Sequence, residues 1–498
     1  MKNLSFKMLA GLLFFMVIMA SCVKPNYTKL PTAVKKIADL KLNNWFTNGK
    51  VSLNGQVMAA NSVDFNNGTN IDFYKWSEQM FLWITSPEDN TIVLETPEFY
   101  TVSPPYSSSE KRDLIPHNPS KTLSASVNII KLDTEEGQAG SDDVLMSKDG
   151  SILYYITFVN DVYAKFLDGS KKEKLNDSIS FPTTQRELDS IVAFAKSIGD
   201  TVRSPNTLTM ELKTSWVDLA TIPLDIQKEY ITVRANVPTY DRSSDKKWTP
   251  TGKSQIKTLA LLGMHVVGSV KGHPEMIWAT FEHRHNSPNL TYDYVDENGK
   301  TKTVGADTGN HWLLNSNTSD DRAYYNVSRM SLDHKGLITA NQSQSSVIGS
   351  SNTKRINAFG VVYDNKAKPN NENKSTAESN SQIIAVNNTV RDQLIAGDVR
   401  KNYIFIGATW TQNGATPTGK SYSVKKKQTS PGVAVGTSQL ANSTMETYFQ
   451  YGAGKFNSND ASCFSCHSGS LAPNAAFDLS HIYSQLLEGE ILSLHTPN

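Results

Sequence analysis

The sequence predicts an α+β protein: a large β-rich N-terminal body followed by a small helical segment at the C-terminus. Three observations carry this. The most apolar stretches, 258–268, 275–282 and 403–410, are of strand length and lie in the middle of the chain. Turn signals such as Lys148-Asp149-Gly150 separate further apolar runs at hairpin spacing. Short helix-type patterns with capping residues recur after residue 436. A chain of 498 residues has room for one large domain and a smaller one. The boundaries expected are 1–21 as a signal peptide, 22–65 as tether and lead-in, 66–435 as the large β-rich domain, and 436–498 as the C-terminal segment.

Two lysines and an apolar run from Met8 to Met19 open the chain, followed by Ala20-Ser21-Cys22. This is a signal-peptide pattern. The run is too short for a permanent span, which takes roughly 20 residues. Small residues before Cys22 resemble a bacterial lipobox, in which cleavage precedes the cysteine and its thiol is lipidated. Met19 stands where leucine is usual, and an ordinary secretory signal is the alternative. The expected place is therefore a membrane-anchored lipoprotein facing the periplasm, with the outer membrane favoured.

Residues 23–65 read as a polar lead-in containing Trp45. Trp76 to Ile84 reads as a short buried helix, and Thr184 to Ile198 as a second, with Leu188, Ile191, Val192 and Phe194 on its apolar side. A hairpin is expected around Lys148-Asp149-Gly150, and a plain turn at Asp296-Glu297-Asn298-Gly299, which lacks calcium-loop spacing. Segments 258–268 and 275–282 should pair as a core hairpin through Gly272-His273-Pro274, with 403–410 as a third strand. From 341 to 382 the chain is rich in Asn, Ser and Lys and reads as a mobile surface excursion. A second polar connection, 411–430, contains Lys425-Lys426-Lys427 and reads as a solvated loop.

Ser443-Thr444-Met445-Glu446 fits a capping box, with Met445, Tyr448 and Phe449 on one helical face. Ser480 fits an N-cap before Ile482, Tyr483, Leu486 and Leu487. Between them stands Cys463-Phe464-Ser465-Cys466-His467. C-x-x-C-H is the attachment signal for c-type haem: Cys463 and Cys466 add to two vinyl groups and His467 supplies the proximal imidazole. A structural zinc site wants four ligands and no further cysteine is left, since Cys22 is the third of three. A thioredoxin-like pair wants a preceding strand, and the text before Cys463 is a polar loop. One covalently attached haem c is the expected cofactor.

The two short helices resemble the first and last helices of a class I cytochrome c. No methionine follows His467, so the usual downstream ligand is missing. His265, His283 and Met445 are candidates for the other side of the iron, with His481 and His495 downstream. His265 and His283 lie on adjacent expected strands, and alternation puts Phe281, His283 and His285 on one face and Glu282 on the other. Buried histidines satisfied by backbone carbonyls are the plainer reading of that group.

Four segments resemble a poorly characterised family of exported bacterial cytochrome c family proteins: Glu211 to Trp216, Leu262 to Val267, Ile277 to His283 and Leu440 to Tyr448, with the haem pentapeptide after them. The resemblance spans roughly residues 70–470. It implies that body and haem peptide belong together, and carries no activity with it.

Lys+Arg 49 against Asp+Glu 48 gives a formal charge of +1, which excludes a phosphate-neutralising surplus and so argues against nucleic acid as partner. Nine per cent aromatics and eight Trp exclude a disordered chain. The function expected is one-electron transfer by a membrane-anchored mono-haem cytochrome, with a redox partner protein that the sequence does not name. The alternatives are a haem enzyme, peroxidase-like or oxygenase-like, with an open iron position, and a ligand-binding lipoprotein that uses haem as a sensor. Whether it is an enzyme stays open, and no catalytic residue is assigned.

Overall fold

The computed structural model describes residues 26–105, 111–117, 132–175, 180–315, 326–341, 345–359, 362–363, 372–420, 431–450, 463–468 and 476–487. Cys22, the signal segment, Lys425 to Lys427 and His495 lie outside them.

The architecture is α+β. The principal strands are β1 (Phe99–Val102), β2 (Leu114–Pro116), β3 (Tyr154–Asn160), β4 (Met210–Asp218), β5 (Thr232–Asp241), β6 (Lys247–Val270), β7 (His273–His283), β8 (Tyr403–Thr411) and β9 (Ala434–Thr437). The helices are α1 (Asn70–Ile84), α2 (Asp161–Lys171), α3 (Gln185–Ser197), α4 (Glu372–Gln393), α5 (Cys463–Cys466), α6 (Ala476–Leu479) and α7 (His481–Leu487). One antiparallel sheet runs in the order β9-β8-β7-β6-β4-β3-β1-β2. β6 is long enough to serve three neighbours: its first half pairs with β5 and its second half with β7 and β4.

The local signals explain most of these elements. The β6–β7 hairpin turns at Lys271-Gly272, where Gly272 sits at φ +76°, a region glycine enters without steric cost. Helix α3 starts at Thr184, whose hydroxyl accepts from Glu187 N while the Glu187 carboxylate accepts from Thr184 N. Leu188, Ile191 and Phe194 are buried, as the spacing requires, but Val192 is exposed. Helix α1 begins well before Trp76, because a second capping box, Thr69 with Asp72, nucleates it.

The sheet has two different faces. Alternation places Leu212, Met264, Val266, Ile277, Ala279 and Phe281 on one side, where they join the main apolar core. Helices α1 and α4 cover that side; Phe81 stacks on Phe281 at 4.3 Å and Phe73 on Trp410 at 3.8 Å.

Two sequence expectations change here. The lead-in is no free tether over its described length, since Leu40, Leu42, Phe46 and Val57 are buried in the main core. The polar excursion is in large part structural: Ser351 to Arg355 is buried, and α4 starts inside the segment, burying Ile383, Ile384, Val386 and Val390. Composition cannot reveal the burial of Ser351 to Arg355, because these residues are polar and bond to distant partners, Ser351 N to Met146 O and Arg355 to Glu282 and Ser287.

Glu78 on α1 is buried and its carboxyl is pushed up to about 8, chiefly by desolvation, with Arg391 opposing. The unfolded chain loses this proton near 4.5 and the folded chain near 8, so folding binds the proton in between. Stability should therefore fall as pH rises across that window. Glu78→Gln should flatten the fall, as read by urea midpoints at pH 5 and pH 8.

Candidate functional site

The second face of the sheet carries polar groups in register. Lys213 on β4 pairs with His265 on β6, which pairs with Thr280 on β7. One step along, Glu211, Val267 and Trp278 are aligned; on the other side, Ser215, Gly263 and Glu282. Cross-strand partners project to the same side, so these residues form one wall.

The C-terminal segment lies against this wall. Asn442 Nδ2 donates to Thr280 Oγ1 at 2.8 Å, and Ser443 N to Glu282 Oε1 at 2.8 Å. Thr444 Oγ1 meets Ser215 Oγ at 2.6 Å, and Tyr155 OH donates to Thr444 O at 2.8 Å. Glu446 Oε2 and His265 Nε2 are 2.9 Å apart. Ser215, His265, Thr280 and Glu282 of the wall thus find their partners in this segment, which makes the two parts one structure rather than body plus appendage.

Gly263 permits the close approach. A Cβ at that position would stand 2.5 Å from Thr444 Oγ1 and 3.0 Å from Asn442 Nδ2. Gly263→Val should push the segment off the wall at a cost of about 1–3 kcal/mol. Faster limited proteolysis around residues 440–447, compared with the unsubstituted chain, would report it.

The expected helix from Ser443 does not form; a 3-10 turn, Thr447–Gln450, stands in its place. The capping residues have found tertiary partners instead. Ser443 Oγ donates to the Glu282 carboxylate, and Glu446 is divided between Asn442 N and His265.

Cys463 and Cys466 occupy the single turn α5, closed by His467 N donating to Cys463 O at 3.0 Å. The turn puts both thiols and the imidazole within one short stretch. Phe464 is buried in the cluster formed by α2, α3, α6 and α7, and its ring meets Trp278 edge-on at 5.9 Å. Trp278 also contacts His467, with ring centroids 4.4 Å apart. The Ser480 cap forms as expected: Ser480 Oγ accepts from Tyr483 N at 3.0 Å, and Ile482, Tyr483 and Leu486 are buried.

His467 Nδ1 lies 2.8 Å from Leu479 O. A carbonyl can only accept, so Nδ1 carries the proton and Nε2 keeps its lone pair. Desolvation is the largest influence on this imidazole, with His481 next, and it is pushed down to about 3. It is therefore neutral at physiological pH, the form that binds metals. Burial, then Glu446, holds the Cys463 thiol above its ordinary value.

The structure brings some of the sequence candidates together and separates others. His265 stands on the polar wall, in electrostatic reach of His467, with Lys213 beside it. Its Nε2, the less hindered nitrogen, is engaged by Glu446. His283 lies on the other side of the sheet, with Phe281. It stacks on Tyr230 at 3.7 Å, and its Nε2 bonds to Glu229 O at 3.1 Å. Met445 is fully buried in a separate cluster with Leu145, Leu153, Leu313 and Leu314. His481 lies flat against His467 at 4.4 Å, beside it rather than across a metal from it. His285 binds Asn26 O and Glu229, away from the motif.

Trp278, Glu446 and Lys213 were not singled out as site residues in the sequence. Trp278, Thr280 and Glu282 alternate along β7, and that pattern of one aromatic and two polar residues on a single strand face was the available signal.

The donor set fits a c-type haem: two thiols a turn apart, an imidazole with its second nitrogen satisfied, and aromatic neighbours in Trp278 and Phe464. Among the described residues no group of three or more His, Cys, Asp and Glu side chains is placed to hold a bare metal ion. No helix among them is long and apolar enough to cross a membrane. In comparisons with known proteins, no family model, no curated protein and no solved structure matches the chain.

Proposed function

We propose that the protein is a mono-haem c-type cytochrome, of the exported kind its segments resemble, that transfers single electrons outside the cytoplasm. The observation that carries this reading is the Cys463-Cys466-His467 turn with the His467 Nδ1 proton held by Leu479 O at 2.8 Å. Bound there, haem supplies a reversible one-electron couple. The chain's own contribution is to hold the imidazole neutral and oriented, to set Trp278 against it, and to seat the segment on the sheet wall.

A second reading, a haem enzyme with an open iron position, is favoured by one feature. The wall beside the motif carries the His265–Glu446 pair and Lys213, groups able to hold or move a proton. Ferric and ferrous absorption spectra, with and without carbon monoxide, separate the two. A low-spin spectrum indifferent to carbon monoxide is expected of the carrier, and a high-spin, CO-binding haem would overturn the carrier reading.

The anchoring proposal is that Cys22 carries lipid and tethers the chain to a membrane facing the periplasm. Cys22→Ser should move the protein into the soluble fraction. Its retention with the membrane would overturn the anchor.

A further inference from the structure

Glu211 is a carboxyl set between Val159 on β3 and Val267 on β6, on the polar side of the sheet. A carboxyl in such surroundings needs a hydrogen-bonding partner. It has one in Ser480, whose Oγ donates to Glu211 Oε2 at 2.5 Å. Ser480 is 1% exposed, and its hydroxyl has no capacity left over. A hydroxyl offers one proton and two lone pairs. The proton goes to Glu211, one lone pair to Tyr483 N at 3.0 Å, and the other to Tyr163 OH at 2.8 Å. Three elements, β4, α2 and α7, therefore fix the position of this one residue.

The carbonyl immediately before Ser480 is Leu479 O, the acceptor for His467 Nδ1. Whatever fixes Ser480 fixes that carbonyl, and with it the tautomer and orientation of the imidazole. We propose that Glu211 is a positioning residue for His467, acting through Ser480 and the Leu479 carbonyl. The inference rests on the haem reading above in naming what His467 is positioned for. The positioning itself is a property of the chain alone. It also assigns work to the large body: β4 supplies the fixed point from which the proximal imidazole is aimed. A hydrogen bond on the second ring nitrogen raises the basicity of a ligating imidazole. Its loss should favour the reduced iron.

The test uses the full chain, with Glu211→Ala, Ser480→Ala and the conservative Glu211→Gln, which keeps an acceptor for Ser480. The first readout needs no haem. In unsubstituted, haem-free protein labelled with nitrogen-15 at histidine, His467 should be the Nδ1–H tautomer. Glu211→Ala and Ser480→Ala should show a mixture of tautomers, and Glu211→Gln should restore the single form. The second readout is the midpoint potential of the haem-bearing protein. Glu211→Ala should shift the ferric/ferrous equilibrium about tenfold toward ferrous, which for a one-electron couple is about 59 mV. A merely structural role would change the melting temperature and leave tautomer and potential alone. Folded variants with the unsubstituted tautomer and potential would overturn the proposal. Absence of covalent haem in the unsubstituted protein would overturn the haem reading, while the tautomer measurement would still decide the role of Glu211. If Glu211→Ala does not fold, Ser480→Ala against Glu211→Gln carries the same comparison.

Discussion

Replacing Cys463 and Cys466 together with alanine should yield a folded protein with no covalently bound haem. The reason lies in where the two side chains sit. Cys466 is exposed and Cys463 is half-buried at the edge of its cluster, so truncation removes two small thiols, whereas Phe464 between them is fully buried and keeps the turn anchored. Of the central sheet's two faces, the one that builds the main core is covered by α1 and α4, remote from this turn. Haem staining on a denaturing gel should fall to background in the double variant. Each single variant retains one thioether position and should keep reduced staining. His467→Ala is a different lesion: both thiols remain, but the Leu479 hydrogen bond and the Trp278 contact go. It should keep covalent haem and change the spin state. If the unsubstituted protein, matured in a host that attaches haem to C-x-x-C-H sequences, instead carries two titratable thiols and no haem, the cytochrome reading fails.

What the sequence made legible and what it hid follow a physical division. The helical pattern from Thr184 to Ile198, the turn at Gly150 and the run of core residues in β7 are local signals, readable within a few residues. Their outcomes matched expectation because no distant partner competes for them. Ser443 and Glu446 show the opposite case. The same capping-box letters were present, but Glu282 and His265 offered those side chains better-placed partners across more than 150 residues of sequence. Register is likewise invisible in one sequence. Without knowing that Lys213, His265 and Thr280 align, His265 and His283 look like one site, although the sheet separates them onto opposite faces. The C-x-x-C-H motif is a local signal of the first kind: its three side chains fall within five residues, and the structure places both cysteines on one turn with His467 next to it.

Arg355→Ala should cost about 3–5 kcal/mol, a large share of the ~5–15 kcal/mol that holds a typical domain folded. Arg355 is 1% exposed and sits in the stretch that composition alone assigns to the surface. Its Nη2 lies 3.0 Å and its Nε 3.1 Å from Glu282 Oε2, and Glu282 has no exposure at all. Nη1 reaches Ser287 O at 2.6 Å, Asn289 Oδ1 at 3.2 Å and Thr28 Oγ1 at 3.2 Å. Glu282 in turn accepts from Ser443 N and Oγ. One buried pair thus joins the lead-in at Thr28, the central strand β7, and the 440–447 segment at Ser443. Removing the guanidinium strands a buried carboxylate, and that desolvation penalty is larger than the value of the pair itself. The double change Arg355→Met with Glu282→Gln leaves no unpaired charge, while the glutamine oxygen can still accept from Ser443 N. It should therefore be less damaging than Arg355→Ala alone. Urea denaturation of the three proteins at pH 7 decides the matter. Arg355→Ala within 1 kcal/mol of the unsubstituted chain, or a double variant worse than the single, would mean that the pair does not hold these three segments together. Because Glu282 also fixes Ser443, the single variant should loosen the 440–447 segment as well, which ties the stability of the body to the seating of that segment on the sheet wall.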